Sequence, residues 1–276
     1  MTTSTTDTRQ SDSIETTGLD GVVYKPTETD PESVAQLPFG LVCVDYEGRE
    51  SFPSAATLSS LAADHRLRVT TPVRADGFDP LGDDELVDRL PAAAGRVLVA
   101  GHGAYLDETE QSRAVAPRLG AAVEAARAAT EIAGRSHEPW VGTESVERLA
   151  LAAGGVQYEL LSRRTVTDLR GLRAAGFDGR IAVYAPTVPS TDEDTILDAV
   201  GAYAARRGPV RRALPDGAVT DASATGRARE VLEQAVRDYA LVGSLSTIRE
   251  RVDELNSAGA DLVVGYPAAG VETFAE

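Results

Sequence analysis

The chain has 276 residues, 42% of them hydrophobic and only 5% aromatic, enough for one large α/β domain or two small ones with a core built mainly from Ala, Val and Leu. Acidic residues outnumber basic ones 43 to 27, giving a net charge of −16, and among the basic residues Lys25 alone is a lysine. Such a surface argues against nucleic acid as a partner, because phosphate binding draws on clustered Lys and Arg. It matches an extremely halophilic, archaeal host, where molar salt shortens the Debye length to about 3 Å and screens the self-repulsion.

Residues 1–17 are rich in Thr, Ser and Asp and have neither the basic nor the apolar region of a signal peptide, so a disordered acidic and polar tail is expected there. No stretch approaches the ~20 apolar residues of a transmembrane helix, and a cytoplasmic protein without a membrane partner is expected. Strand-like apolar runs then fall at 21–24, 39–46, 67–73, 97–101, 139–142, 157–161, 181–185 and 262–265. Between them the spacing predicts helices at 54–64, 83–90, 110–129, 145–153, 166–175 and 193–206, and two more, 225–239 and 246–258, before the last strand. The first connection, 25–38, reads as too short and too polar for a helix. Residues 208–225, rich in Pro, Gly, Asp and Ser, read as a long surface loop, and nothing helical follows the eighth strand.

Alternating apolar strands and helices imply a parallel sheet covered by helices. Eight strands without a glycine-rich dinucleotide turn after the first favour a closed (β/α)8 TIM-barrel-like domain, one unit spanning 18–276 and irregular at its seam. In such a barrel the active site lies at the C-terminal strand ends. His102 stands there between Gly101 and Gly103, whose small size permits close approach of a ligand to the backbone, and its imidazole can exchange a proton near neutral pH. Its alternative is a histidine hydrogen-bonded within a turn. Asp45, Tyr46 and Glu47 follow the second strand, and Thr70, Thr71 and Arg74 end the third. Tyr184 and Tyr266 can stack on a planar ring or simply close the barrel.

Gly142, Thr143, Glu144 and Ser145 precede a helix, whose amides make an anion site, although Ser145 is equally a plain helix cap. The basic cluster Arg206, Arg207, Arg211 and Arg212 reads as a solvated loop or as a clamp for an anionic coenzyme tail. Cys43 lies in an apolar strand and reads as a small buried hydrophobe. His65 and His137 carry no expected chemistry. No His-Glu-x-x-His, histidine pair or calcium-loop spacing is present, so no metal site is expected.

Two blocks resemble a known family. Val242, Gly243 and Ser244 start a helix that ends in Ala258, Gly259, Ala260 and Asp261 before the last strand; Pro139 to Gly142 form a turn before a helix ending near Leu149 and Ala150. Both resemble the bacterial-luciferase-like family of flavin monooxygenases and coenzyme F420-dependent enzymes, although the first turn lacks the usual proline. Shorter likenesses lie at Gly18 to Tyr24 and Gly95 to Gly103. The resemblance implies an oxidoreductase that binds coenzyme F420 or FMN, with the coenzyme phosphate near Gly142, Thr143 and Ser145, and transfers a hydride to or from a small organic substrate. Glu144 departs from the small residue expected beside a phosphate. The resemblance also makes a homodimer plausible. A barrel kept as a non-catalytic binding or regulatory subunit is the alternative, and a coenzyme-free lyase or isomerase, needing an acid and base pair at one rim, is a third reading.

Overall fold

The structure is a computed structural model that describes residues 13–132 and 138–275. Its strands are β1 (Gly21–Tyr24), β2 (Leu41–Val44), β3 (Arg66–Pro72), β4 (Gly95–Val99), β5 (Trp140–Gly142), β6 (Val156–Leu160), β7 (Ile181–Val188), β8 (Leu241–Val242) and β9 (Leu262–Pro267). Neighbours from β1 to β7 pair in order and in parallel; β7 then pairs with β9 and β9 with β1, closing an eight-stranded barrel. All eight expected strands are in that barrel. The short β8 stands outside the ring and pairs only with Thr187 and Val188 at the end of β7. Two residues between helices give no periodicity to read, which is why it was not expected.

The helices are α1 (Pro31–Ala35), α2 (Ala55–Asp64), α3 (Glu108–Ser112), α4 (Val115–Ile132), α5 (Glu147–Ala153), α6 (Thr165–Ala174), α7 (Glu193–Ala205), α8 (Gly208–Ala213), α9 (Gly226–Tyr239) and α10 (Leu245–Ala258). Side-chain caps set several starts: Ser54 accepts from the Thr57 N–H, Asp192 from Thr195 and Ser244 from Thr247. Alternate residues of each strand divide two cores. Val23, Leu41, Cys43, Val97, Trp140, Val156, Tyr158, Ala182, Tyr184, Leu262 and Val264 fill the barrel. Val22, Val42, Val69, Val183 and Val263 face outward under α2, α6 and α10.

Six local expectations are corrected. Nothing helical is expected after the last strand, yet Val271–Phe274 form a 3-10 turn that buries Phe274 in the core. The helix expected at 83–90 is a loop with one 3-10 turn, Val87–Arg89. Loop bonds hold its backbone instead: the Leu86 N–H donates to Gly77 O, and Asp79 exchanges contacts with Leu81 and Asp83. The helix expected at 110–129 is broken at Arg113 and Ala114 into α3 and α4. The first connection does hold a helix, α1, started by the Asp30 cap and Pro31 at its first position. The loop expected at 208–225 begins with α8, whose Pro209 has a preset helical φ. Of the expected tail, Ile14–Thr17 form a 3-10 turn with Ile14 buried under the core; residues 1–12 lie outside the described residues, as does His137.

The rest of the 208–225 stretch packs on α7 where Gly201 has no side chain: a Cβ there would stand 2.3 Å from Thr220 O. Gly201→Ala is therefore expected to destabilise by about 1–3 kcal/mol, despite the roughly 1 kcal/mol that Ala contributes over Gly inside a helix. Thermal melting of the variant checks this, and a melting point equal to or above the parent's would refute the tight approach.

Candidate active site

In β1 and β2 the inward rows run apolar through the barrel and become polar at their C-terminal ends. Val23 and Cys43 belong to the barrel core, and two residues on, in the same rows, stand Lys25 and Asp45. They are neighbours across the sheet, with the Asp45 N–H donating to Tyr24 O at 2.8 Å. Below them lies an aromatic floor. Tyr184 stacks on Tyr266 with centroids 6.5 Å apart and planes at 9°, and meets Tyr158 edge-on at 6.3 Å.

This mouth is acidic. Asp45 accepts from the Tyr46 N–H at 3.0 Å, and burial pushes its carboxyl up to about 6, against the opposing pull of Lys25. The buried Glu47 accepts from both the N–H and the hydroxyl of Thr27, at 2.8 and 2.7 Å. Lys25 Nζ lies 3.2 Å from Glu28 and 4.0 Å from the centre of the Tyr266 ring, and the Tyr266 hydroxyl donates to Glu28. Burial, and then Glu28, hold the Tyr266 hydroxyl far above its ordinary range.

The loop after β4 borders the same mouth. Tyr105 is half-exposed, and its hydroxyl is pushed up by burial and by the nearby Glu47, Asp45 and Glu28, against Arg206. His102 is exposed, packs its ring 6.1 Å from that of Tyr105, and accepts from the Ala104 N–H through Nδ1. Tyr105 therefore joins the His102 loop to the Asp45 side. Gly101 has φ +91°, a conformation L side chains avoid, and a Cβ there would press on Leu106 at 2.8 Å. The Gly101 and Gly103 carbonyls are taken by Arg74 and Gln111. Arg74 also donates to Ala100 O and Gln111 O, both at 2.7 Å, so this one guanidinium fixes the loop. Arg74→Met is expected to weaken that anchoring by about 2–4 kcal/mol. Hydrogen exchange should then speed up at residues 100–112 well before the barrel strands, and unchanged protection there would refute the anchoring.

The turn at 142–145 departs from the sequence picture. Gly142 pairs with Tyr158, and a Cβ on it would lie 2.8 Å from Val99. Thr143 donates its N–H to Tyr158 O and its hydroxyl to Glu159, whose carboxyl is raised by burial. Ser145 sits at φ +63° and does not cap α5; Val146 holds that place without a side-chain cap. A cavity of about 450 Å³ beside the turn is lined by Glu144, Glu147 and Glu159, with Arg207 as its cation. Arg207 is already engaged, to Glu144 at 3.0 Å and to the Tyr203 hydroxyl. Arg206, Arg211 and Arg212 form no ion pair among the described residues.

Elsewhere, His65 makes a 2.9 Å hydrogen bond through Nδ1 to Phe39 O, and Cys43 is buried with its thiol pushed up to about 12. Both are structural. Among the described residues no cluster of side chains could hold a metal ion, and no helix is long and apolar enough to cross a membrane. Sequence reasoning missed Lys25 and Glu28 at the mouth, and Tyr203 beside Arg207. For Lys25 the signal was present, since it is the chain's single lysine.

Residues 14–274 match the model described as "Family of unknown function (DUF7388)". The chain belongs to that family. No curated protein matches it in sequence. Among solved structures it is similar to an F420-dependent secondary alcohol dehydrogenase in complex with an F420-acetone adduct, with a TM-score of 0.58 and 12% identity over 91% of this chain and 94% of that one. It also matches the monooxygenase RslO1 from Streptomyces bottropensis, with a TM-score of 0.43 and 16% identity over 92% of this chain and 94% of that one. The dehydrogenase places this member of DUF7388 in the fold that the sequence blocks resembled, a parallel barrel ringed by helices.

Proposed function

We propose that this DUF7388 protein is a luciferase-like oxidoreductase that binds coenzyme F420 or FMN at the barrel mouth and transfers a hydride to or from a small organic substrate. The observation that carries the proposal is Asp45. Its carboxyl, pushed up to about 6 by burial and set above a stacked tyrosine floor, is suited to exchange a proton with a substrate oxygen near neutral pH. A bound flavin or deazaflavin supplies the hydride chemistry.

The turn at Gly142, Thr143 and Ser145 does not fit its phosphate. Three carboxylates, Glu144, Glu147 and Glu159, line that cavity, and its single arginine is engaged by Glu144. The anionic end is better served by Arg206, Arg211 and Arg212, with Arg206 close enough to Tyr105 to act on its hydroxyl. The loop carrying His102 closes the rim opposite, and its tyrosine helps exclude water.

The test is a fluorescence titration of FMN and of F420, each against the folded chain, in about 2–4 M KCl so that the −16 charge is screened. Saturable binding of one coenzyme is expected, weakened about tenfold or more by joint replacement of Arg206, Arg211 and Arg212 with alanine. Ser145→Ala should leave it unchanged. No binding of either coenzyme to protein with a native circular dichroism spectrum would overturn the proposal in favour of a non-catalytic barrel.

A further inference from the structure

Among the described residues, each ion pair other than that of Lys25 uses an arginine. This chain builds its structural cation contacts from guanidinium groups. Its one side-chain ammonium stands inside the barrel mouth, with only 18% of that side chain exposed. The two cations differ physically. A guanidinium is a planar fork that suits bidentate carboxylate pairing, whereas an ammonium is a compact point charge with three donors that can each meet a separate acceptor.

Glu28 takes one donor direction of Lys25 at 3.2 Å, and the Tyr266 ring lies 4.0 Å away as a cation–π partner. Neither uses up the ammonium. At the paired position one strand over is Asp45, whose carboxyl is near enough to feel the Lys25 charge. An acceptor atom held by Lys25 at the mouth would thus lie between an ammonium donor and a carboxyl able to give or take a proton, above the aromatic floor. The surroundings also fix the charge of what can enter. Asp45, Glu47 and Glu28 all act on the Tyr266 hydroxyl from close range, so a further carboxylate brought to this site meets three of its own sign.

We propose that Lys25 holds the oxygen of a neutral alcohol or carbonyl substrate through its ammonium, and that the acidic mouth around it rejects substrates that carry a carboxylate. The proposal rests on the oxidoreductase reading for the direction of chemistry, but its geometry is independent of the coenzyme. Lys25 and Asp45 then divide the work: the ammonium polarises and positions the oxygen, and the carboxyl exchanges its proton.

A single lysine makes the test direct. Protein grown on lysine labelled with nitrogen-15 at Nζ carries one side-chain ammonium label, at Lys25 of the intact chain. Cyclohexanone and cyclohexanol are the neutral probes and pyruvate the carboxylate-bearing one, each titrated with and without FMN or F420. The label is expected to shift saturably with the neutral probes, and pyruvate to bind at least about tenfold more weakly. Lys25→Arg keeps a cation for Glu28 and for the Tyr266 ring, so it should keep the parent melting point while saturation-transfer NMR shows ketone binding at least about tenfold weaker.

A label unmoved by both neutral probes, or a Lys25→Arg protein that binds ketone like the parent, would reduce Lys25 to a strap for the loop after β1. Pyruvate binding as tightly as cyclohexanone would overturn the charge selection. Coenzyme fluorescence on the same samples separates the two readings. Coenzyme binding without a Lys25 response sinks this inference alone, and a Lys25 response without coenzyme binding sinks the oxidoreductase reading alone.

Discussion

Asp45→Asn is expected to make the protein more stable than the parent at pH 8, by about 2–3 kcal/mol, while the two converge below pH 4. Burial raises the Asp45 carboxyl from 3.8 to about 6, so the folded chain holds this proton more tightly than the unfolded chain does. Its contribution to stability is fully present below the unfolded pKa of 3.8 and is lost as pH rises through about 6. Asparagine is neutral throughout and escapes that loss. Asp20 and Glu159, whose carboxyls are also raised by burial, are common to both proteins and cancel in the difference. Denaturant melts of parent and variant at several pH values check the expectation, and a pH-independent difference would mean that the carboxyl is solvated. The same substitution removes the group proposed to exchange a proton with substrate, so turnover should fall by about 100-fold or more. Stability gained where activity is lost is the signature of a residue kept for chemistry.

The second large effect is expected at Asp79, in the loop after β3. Its side chain is 2% exposed and lies between Arg118 at 2.9 Å and Arg113 at 3.3 Å, while accepting from the Leu81 N–H at 2.9 Å. Asp79→Ala leaves two mostly buried guanidinium groups short of a counter-charge and should cost about 3–5 kcal/mol. Asp79→Asn keeps an acceptor for Leu81 and should cost less. Arg113 also pairs with Asp76 and donates to Arg74 O, so Asp79 ties the loop after β3 to the break between α3 and α4. A melting point within 2 °C of the parent's, roughly the shift expected from under 1 kcal/mol in a domain of this size, would refute the buried network.

These two aspartates show how the chain uses acidity. One is fully compensated by arginines and locks a loop. The other is left with a lysine nearby but no direct ion pair, at the C-terminal mouth of the barrel.

The sequence alone determined the barrel. Strands buried on both faces read as continuous apolar runs, and each of the eight appears in the linear pattern because apolar burial is written locally, residue by residue. It also placed Asp45 and His102 at strand ends, since chain order and strand direction decide which end of the barrel a residue reaches. Only the tertiary structure decided what those residues meet. The loop at 83–90 and the break between α3 and α4 follow from contacts made by Asp79, Arg113 and Arg118, which are far apart in the chain. What surrounds the turn at 142–145 was equally a matter of tertiary structure: Glu159, on the next strand, and Arg207, more than sixty residues on, line the cavity beside it. Lys25 acquired its meaning in the same way. Its rarity was visible in the composition, but the Tyr266 ring and the Asp45 carboxyl reach it only when β9 and β2 pair on either side of β1, and such long-range pairing leaves no periodic trace in the chain.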